Sequence, residues 1–225
     1  MLKYLPIVLI FGFASAAEPQ VTVLVPSVVD KFGVSRLIDV LEEFGAPLHT
    51  ELQPVGRIFR ELSSSSPVCG LLTRRVTPPI SSLQWVLRLF NFRIVAVSLP
   101  SVEGTPVKGD RVVTALNSAA FNVATELGYD VVPIKSYDQL VAVLNSRRAT
   151  YWVDAEGAVK WAEKEWKIAL RHHAVLSSEE VWLVCTSTVG ADELKLTQSA
   201  WDAAKKSGEL ERIFKDLVVD ENASP

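Results

Sequence analysis

The chain has 225 residues, of which 48% are hydrophobic and 22% charged, and its formal net charge at pH 7 is −3. This mildly acidic balance, with no long acidic or basic tail, argues against nucleic acid as a partner. A chain of this length can bury one large core or two small ones.

The N-terminus has the three regions of a secretory signal peptide. Lys3 precedes an apolar run at 5–13, and the small residues Ala-Ser-Ala follow at 14–16. This order predicts cleavage after residue 16 or 17, and the run is too short to span a bilayer as a stable helix. We therefore expect residues 1–16 to be removed and the mature protein to be periplasmic.

Strands and helices alternate in the first half of the chain. Apolar, β-branched runs predict strands, and apolar residues with a helical period predict helices. The predicted strands are 21–25, 48–53 and 68–72, and the predicted helices are 35–44 and 54–62. Such alternation is typical of a mainly parallel sheet with helices on both faces.

The second half continues the pattern and adds a candidate anion site. The predicted strands are 111–116, 130–134 and 150–153, and the predicted helices are 119–127 and 136–146. Asn117 or Ser118 can cap the first of these helices, whose first amides attract a carboxylate or phosphate. Both residues can also be simple caps with no ligand.

Asp154 follows directly after the last of these strands. Open α/β sheets hold their ligands at the carboxyl ends of the strands, so this position favours a binding role. The alternative is that Asp154 caps the helix that follows it.

Several weak motifs in a fixed order resemble the second lobe of family 3 periplasmic solute-binding proteins. In this chain they are the Asn-Ser helix start at 117–118, Glu-Leu-Gly at 126–128, Val-Val-Pro-Ile at 131–134, Ser-Tyr-Asp-Gln-Leu at 136–140 and Tyr-Trp-Val-Asp-Ala-Glu at 151–156. Residues 67–86 resemble the family's cleft-closing stretch in the first lobe, and 181–187 with Ser-Gly-Glu-Leu at 207–210 resemble its C-terminal return. The matching order of elements extends over about residues 21–217.

The resemblance implies an α/β fold, the two-lobe periplasmic binding protein fold of type II, in which each lobe is a mainly parallel sheet flanked by helices. Lobe 1 is expected to comprise residues 17–97 and 184–225, and lobe 2 residues 98–183. The two hinge crossings are expected in the β-rich stretches 92–98 and 181–187. Two connections permit hinge closure around a ligand while each lobe stays rigid.

The resemblance also implies ligand-binding residues on both sides of the cleft. The candidates are Arg57, Thr73, Arg74, Asn117, Ser118 and Asp154. An arginine in this place can hold a carboxylate with two parallel hydrogen bonds. For Arg57, Arg74 and the neighbouring Arg75, the alternative is ordinary solvated surface charge.

One departure from the family pattern bears on the ligand. Amino-acid binders of this family carry an arginine a few residues after the Thr-Arg pair, and the matching position here is Pro78. A standard α-amino acid is therefore not the expected ligand. We expect a small polar or anionic metabolite, amino-acid-like or a carboxylate, with Asp154 able to bind an ammonium group.

The two cysteines, Cys69 and Cys185, lack the CxxC spacing of a redox or zinc motif. The resemblance places both on neighbouring strands of lobe 1, which would allow a disulfide in an oxidising compartment. Two buried free thiols are the alternative, because pairing depends on a strand register that the sequence does not give.

No cofactor or metal is expected. His49, His172 and His173 have no ligand spacing with the cysteines. Phosphate-binding, dinucleotide-binding and nucleophile-elbow motifs do not occur in the sequence. The tryptophans are interpreted mainly as core residues.

The predicted function is therefore a monomeric periplasmic solute-binding protein, not an enzyme, that presents its closed form to an inner-membrane ABC permease or a sensor. One alternative is an orphan sensory or interaction protein that kept the fold. A less favoured alternative is a periplasmic dehydratase-like enzyme, with Asp154 and Glu156 as the only candidate acid and base.

Overall fold

The computed structural model of the protein describes residues 20–30, 33–75 and 82–216. The predicted signal peptide and Pro78 lie outside these described residues. Within them, we find no helix with both the length and the apolar character needed to cross a membrane.

Eight strands occur in the described part of the chain. They are β1 (Val21–Pro26), β2 (Leu48–Gln53), β3 (Val68–Leu72), β4 (Leu83–Ser98), β5 (Arg111–Ala115), β6 (Asp130–Ile134), β7 (Tyr151–Ala155) and β8 (Arg171–Thr186). The six strands predicted within the lobes match within two residues at each end, whereas the β-rich stretches 92–98 and 181–187 correspond only to the second halves of β4 and β8. β4 and β8 stand apart from the rest because each has 16 residues.

Helices connect most of these strands. They are α1 (Ser27–Asp30), α2 (Ser35–Glu43), α3 (Val55–Leu62), α4 (Ala119–Glu126), α5 (Leu140–Asn145), α6 (Glu156–Trp166), α7 (Ala191–Ser207) and α8 (Glu209–Asp216), and a short 3-10 turn (Tyr137–Gln139) precedes α5. Gly45 lies two residues after the end of α2, and its φ of 93° is a left-handed conformation that glycine adopts without a steric penalty.

The strands form one sheet in the order β2-β1-β3-β8-β4-β7-β5-β6. β2, β1 and β3 are parallel to one another, and so are β7, β5 and β6. The long strands β4 and β8 lie between the two groups and pair in antiparallel fashion along almost their whole length. We call the β1 to β3 group with its helices lobe 1, and the β5 to β7 group with its helices lobe 2.

The two long strands pass between the lobes side by side. Phe92 of β4 pairs with Glu179 of β8, and β4 then pairs with β7 of lobe 2 from Ile94 onwards. The second crossing therefore precedes the predicted stretch 181–187. The first ten residues of β8 include three charged residues, two histidines and four exposed positions, so their strand character is not visible as an apolar run.

Both faces of lobe 1 are covered by helices. Leu37, Ile38 and Leu41 of α2 are fully buried on one face. Ile58 and Leu62 of α3 are fully buried on the other. Burying an aliphatic side chain of this size contributes about 1.5–3 kcal/mol, which gives the lobe its own core.

Lobe 2 is built in the same way. Val123 and Ala124 of α4 pack on one face of its sheet, and Leu140 and Val159 of α5 and α6 pack on the other. Trp152 of β7 is fully buried among the second set, as the interpretation of the tryptophans as core residues predicts.

Cys69 and Cys185 form a disulfide. Cys69 lies in β3 and pairs directly with Cys185 in β8, so the antiparallel register brings the two side chains together. Both residues are buried, at 1% and 0% exposure. The register that the sequence leaves open thus decides between the disulfide and two free thiols.

Candidate functional site

A cavity of about 410 Å³ lies between the two lobes, within the size range of small-molecule pockets. Lobe 1 contributes the carboxyl ends of β1 and β3 and the start of α3. Lobe 2 contributes the carboxyl ends of β5, β6 and β7 and the starts of α4 and α6. The cavity therefore occupies the edge of each sheet where parallel α/β structures bind ligands.

Four of the six predicted ligand-binding residues line this cavity. Thr73 reaches it from lobe 1, and Asn117, Ser118 and Asp154 reach it from lobe 2. Thr73 and Asp154 are largely buried. The topology thus brings together polar residues that are up to 81 positions apart in the chain.

The two predicted arginines are not among the lining residues. Arg57 points to solvent with 55% of its side chain exposed and lies 3.6 Å from Glu61 on the same helix. Arg74 stacks its guanidinium 4.3 Å above the ring of Trp85 and 5.1 Å from that of Trp182. Arg74 therefore contributes a cation–π contact to lobe 1 rather than a cation to the cavity.

Arg75 links the two lobes. Its Nε lies 2.7 Å from Glu179 of β8, and its guanidinium also pairs with Glu126 of α4 in lobe 2. The Nδ2 of Asn122, also in α4, donates to the backbone oxygen of Arg75 at 3.0 Å. Arg75 is thus not simple solvated surface charge, because it holds the end of β3 against lobe 2.

A double-mutant cycle tests this link. We expect Arg75→Gln and Glu126→Gln to show a coupling of about 0.2–1 kcal/mol in the free energy of unfolding, since both groups are partly exposed and solvent screens the pair. The matched control is Arg111 with Asp130, a pair within lobe 2 at 2.8 Å. If Arg111 and Asp130 showed coupling but Arg75 and Glu126 showed none, the two lobes would not be in contact at Arg75 in solution.

Ser118 and Asn117 have different local roles. The Ser118 hydroxyl accepts from the amide of Phe121 at 3.0 Å and donates to the carbonyl of Ala115 at 2.7 Å, so it caps α4. Asn117 has a φ of 61°, a left-handed conformation that asparagine tolerates better than most residues. The turn places both residues at the cavity wall, with α4 beginning behind them.

Asp154 is a buried carboxylate held by three neutral donors. Its Oδ2 accepts from the hydroxyl of Tyr137 at 3.0 Å and from Nε1 of Trp152 at 3.1 Å, and its Oδ1 accepts from the amide of Ala155 at 2.8 Å. Burial raises the pKa of Asp154 to about 6, although the three hydrogen bonds lower it. Asp154 does not cap α6, because its donors come from the strand end and from the turn before α5.

Tyr137 stays protonated in this arrangement. Burial, and then the nearby charge of Asp154, raise the pKa of Tyr137 well above the ordinary value of 10.0. Its hydroxyl is therefore a permanent donor to the carboxylate at neutral pH. The sequence gives no signal for this contact, because Tyr137 lies 17 residues before Asp154.

Two kinds of lining residue were not predicted. Lys135 is an exposed cation that lines the cavity directly after β6, and the strand-end argument that identifies Asp154 would have found it. Phe59, Phe90 and Phe92 give the cavity an aromatic wall. Isolated phenylalanines in a sequence are typical core residues, so only the fold reveals that they face a cavity.

The acid and base of the enzyme alternative do not converge. Glu156 is not among the lining residues. It lies 2.7 Å from Arg93 and 3.1 Å from Lys160. Burial opposes ionisation, but hydrogen bonds from these two cations hold the pKa of Glu156 below its ordinary value. A carboxylate whose pKa is lowered by two paired cations is a poor general acid or base at neutral pH.

Within the ranges that the structure describes, His, Cys, Asp and Glu side chains do not cluster in groups of three or more that could hold a metal ion.

Comparison with known proteins gives matches at the level of structure. No protein-family model and no curated protein sequence matches the chain. A probable amino-acid ABC transporter extracellular-binding protein from Bacillus subtilis has a TM-score of 0.68 and 15% identity, covering 87% of this chain and 95% of its own. An ancestral arginine-binding protein bound to glutamine has a TM-score of 0.70 and 14% identity, with coverages of 89% and 98%. The periplasmic VFT2 domain of Bordetella pertussis BvgS has a TM-score of 0.68 and 18% identity, with coverages of 89% and 94%.

These likenesses establish the fold. The chain has the two-lobe α/β fold of type II periplasmic binding proteins, with two strands crossing between the lobes. The sequence-based prediction of this fold, and of a resemblance to family 3 solute-binding proteins at the level of fold, is confirmed.

Proposed function

We propose that this protein captures a small solute between its lobes and closes them around it. The observation that carries the proposal is the cavity of about 410 Å³, because strand ends from both lobes build it and two strands connect the lobes. Closure of such a cleft excludes water and strengthens each polar contact inside it.

The ligand contacts that we propose are Thr73, Asn117, Ser118 and Asp154, which line the cavity. Ser118 uses its hydroxyl to cap α4, so it would contribute through the position of the helix start rather than through a free side chain. Arg57 and Arg74 are left out, because they contact Glu61 and two tryptophans instead.

The biological setting that we propose is the periplasm, with delivery of the solute by a monomer to an ABC permease. It is supported by the predicted signal peptide at residues 1–16. It is also supported by a structural neighbour described as an ABC transporter extracellular-binding protein and by another described as a periplasmic domain.

One observation favours a second candidate, an orphan sensory or interaction protein with the same fold. Among the described residues no guanidinium lines the cavity, so a clamp for a carboxylate of the usual kind is missing. If ligand capture has been lost, the fold would serve only as a docking module.

A ligand screen with a structural readout tests the proposal. We expect at least one small organic solute, at about one hundred times its dissociation constant, to add roughly 2.7 kcal/mol to the free energy of unfolding. The same solute should lower the radius of gyration in small-angle X-ray scattering, because the lobes close. Asp154→Asn should weaken binding, whereas Arg74→Gln should leave it unchanged as the matched control outside the cavity.

A broad screen of amines, amino acids, carboxylates and sugars with no stabilisation and no closure would contradict solute capture and favour the orphan protein. If Arg74→Gln lost binding and Asp154→Asn bound normally, the result would instead indicate a binding site on the surface of lobe 1.

A further inference from the structure

The two charged side chains that face the cavity differ in their exposure to solvent. Among the described lining residues, Asp154 and Lys135 are the only side chains that are charged at neutral pH. Asp154 is 4% exposed, whereas Lys135 is exposed to solvent. In the described chain no cation lies within 4.0 Å of the Asp154 carboxylate, whose hydrogen bonds come from Tyr137, Trp152 and the amide of Ala155.

A buried carboxylate with only neutral donors lacks a counter-charge. Burial penalises the ionised form, as the pKa of about 6 indicates. Any ligand that brings a positive charge to this carboxylate would offset the penalty, whereas a ligand that brings a second negative charge would add to it.

The two arginines that follow Thr73 of the cavity wall contact groups outside the cavity. Arg74 stacks on Trp85 and Trp182. Arg75 pairs with Glu126 and Glu179. An exposed lysine such as Lys135 stabilises an ion pair only weakly, because water screens it. A carboxylate on the ligand would therefore find no guanidinium in the described cavity wall, but only the exposed Lys135 and the first amides of α4.

The rest of the wall is mainly apolar. Phe59, Phe90 and Phe92 lie on it together with leucines such as Leu72 and Leu116. Aromatic and aliphatic side chains of this kind favour a hydrocarbon or aromatic ligand body.

From this arrangement we propose that the cavity selects an organic amine, a monocation with an apolar or aromatic body and no carboxylate. The ammonium group pairs with Asp154, and the body packs against the three phenylalanines. This inference rests on the proposed function, and it names a ligand class other than the polar or anionic metabolite expected from the sequence.

Isothermal titration with four matched probes tests the ligand class on the unmodified protein. The probes are phenethylamine, L-phenylalanine, 3-phenylpropionate and 2-phenylethanol, which share a phenyl ring and differ in charge. We expect phenethylamine to bind at least about tenfold more tightly than each of the others, because only it brings a cation without a carboxylate. Its affinity should fall below about pH 6, where Asp154 becomes protonated.

Two variants assign the preference to named groups. Asp154→Asn should weaken the affinity for phenethylamine by about tenfold or more and leave the affinity for 2-phenylethanol unchanged. If Asp154 had only a structural role, the substitution would change both affinities alike. Arg57→Gln should leave the affinity for phenethylamine unchanged, because Arg57 lies outside the cavity and contacts Glu61.

The outcomes separate this inference from the proposed function. If phenylalanine or phenylpropionate stabilises the protein and closes the lobes but the amine does not, the proposed ligand class is wrong. The proposal that the protein captures a solute would still hold. Equal weakening of the amine and the alcohol in Asp154→Asn would overturn the role of the carboxylate charge. Absence of binding and closure with all four probes and with the broader screen would overturn both proposals.

Discussion

Removing the disulfide between Cys69 and Cys185 is expected to lower the free energy of unfolding by roughly 4–5 kcal/mol. The two cysteines are 116 positions apart in sequence, and a cross-link over a loop of this length restricts the unfolded chain strongly in the chain-entropy model. All of lobe 2 lies within that loop. Urea titration of the Cys69→Ala and Cys185→Ala double variant measures the loss.

The wild-type protein under reducing conditions is the matched control, since it keeps both side chains and loses only the bond. We expect its urea midpoint to approach that of the double variant. Identical midpoints for the oxidised and reduced wild type would show that the cross-link does not contribute to stability. A loss in the double variant alone would assign the effect to packing of the buried side chains.

The second large effect that we expect is a pH dependence of stability from Asp154. Burial raises the pKa of this carboxyl from 3.8 to about 6 in the folded state. The folded protein then binds the proton more tightly than the unfolded chain, so the contribution of Asp154 to stability is greatest at low pH. This contribution falls as the pH rises from about 4 to about 6 and is constant above that range, a change of roughly 2–3 kcal/mol.

The matched comparison is Asp154→Asn, which keeps the shape of the side chain and does not titrate. The difference in unfolding free energy between wild type and variant should decrease by the stated amount between about pH 4 and about pH 7, because the other titrating groups cancel. An unchanged difference over this range would show that the carboxyl is not shifted upward. An increase with pH would show that hydrogen bonding from Tyr137 and Trp152 outweighs burial.

The strand-helix pattern of each lobe could be predicted because its signals are local. Val21 to Val25 is an apolar run, and the helix after it has apolar residues at a helical spacing and a glycine at its end. β8 was predicted only in its second half. Its first half pairs with the lobe 2 end of β4 and has several exposed residues, so burial does not impose an apolar pattern on it.

The candidate site could be predicted in part. Thr73 and Asn117 follow strand ends, and Asp154 is the residue before the last one of β7. A strand end is a local feature that a parallel sheet turns into a binding edge. Arg74 follows the same strand end as Thr73, and Arg57 lies in the first turn of α3. Both side chains point away from the cavity, because the direction of a long side chain depends on its neighbours. Trp85 and Trp182 provide the rings on which Arg74 stacks, and they lie 97 positions apart in the sequence.

By itself, the sequence determined the order of strands and helices, the parallel α/β class of each lobe and the strand ends that line the cleft. These follow from short-range periodicity, capping and backbone propensity, which act within about ten residues. Only the tertiary structure decided the pairing of Cys69 with Cys185, the aromatic wall of the cavity and the neutral donors around Asp154. Each of these depends on strand register and on packing between distant segments, which local sequence does not encode.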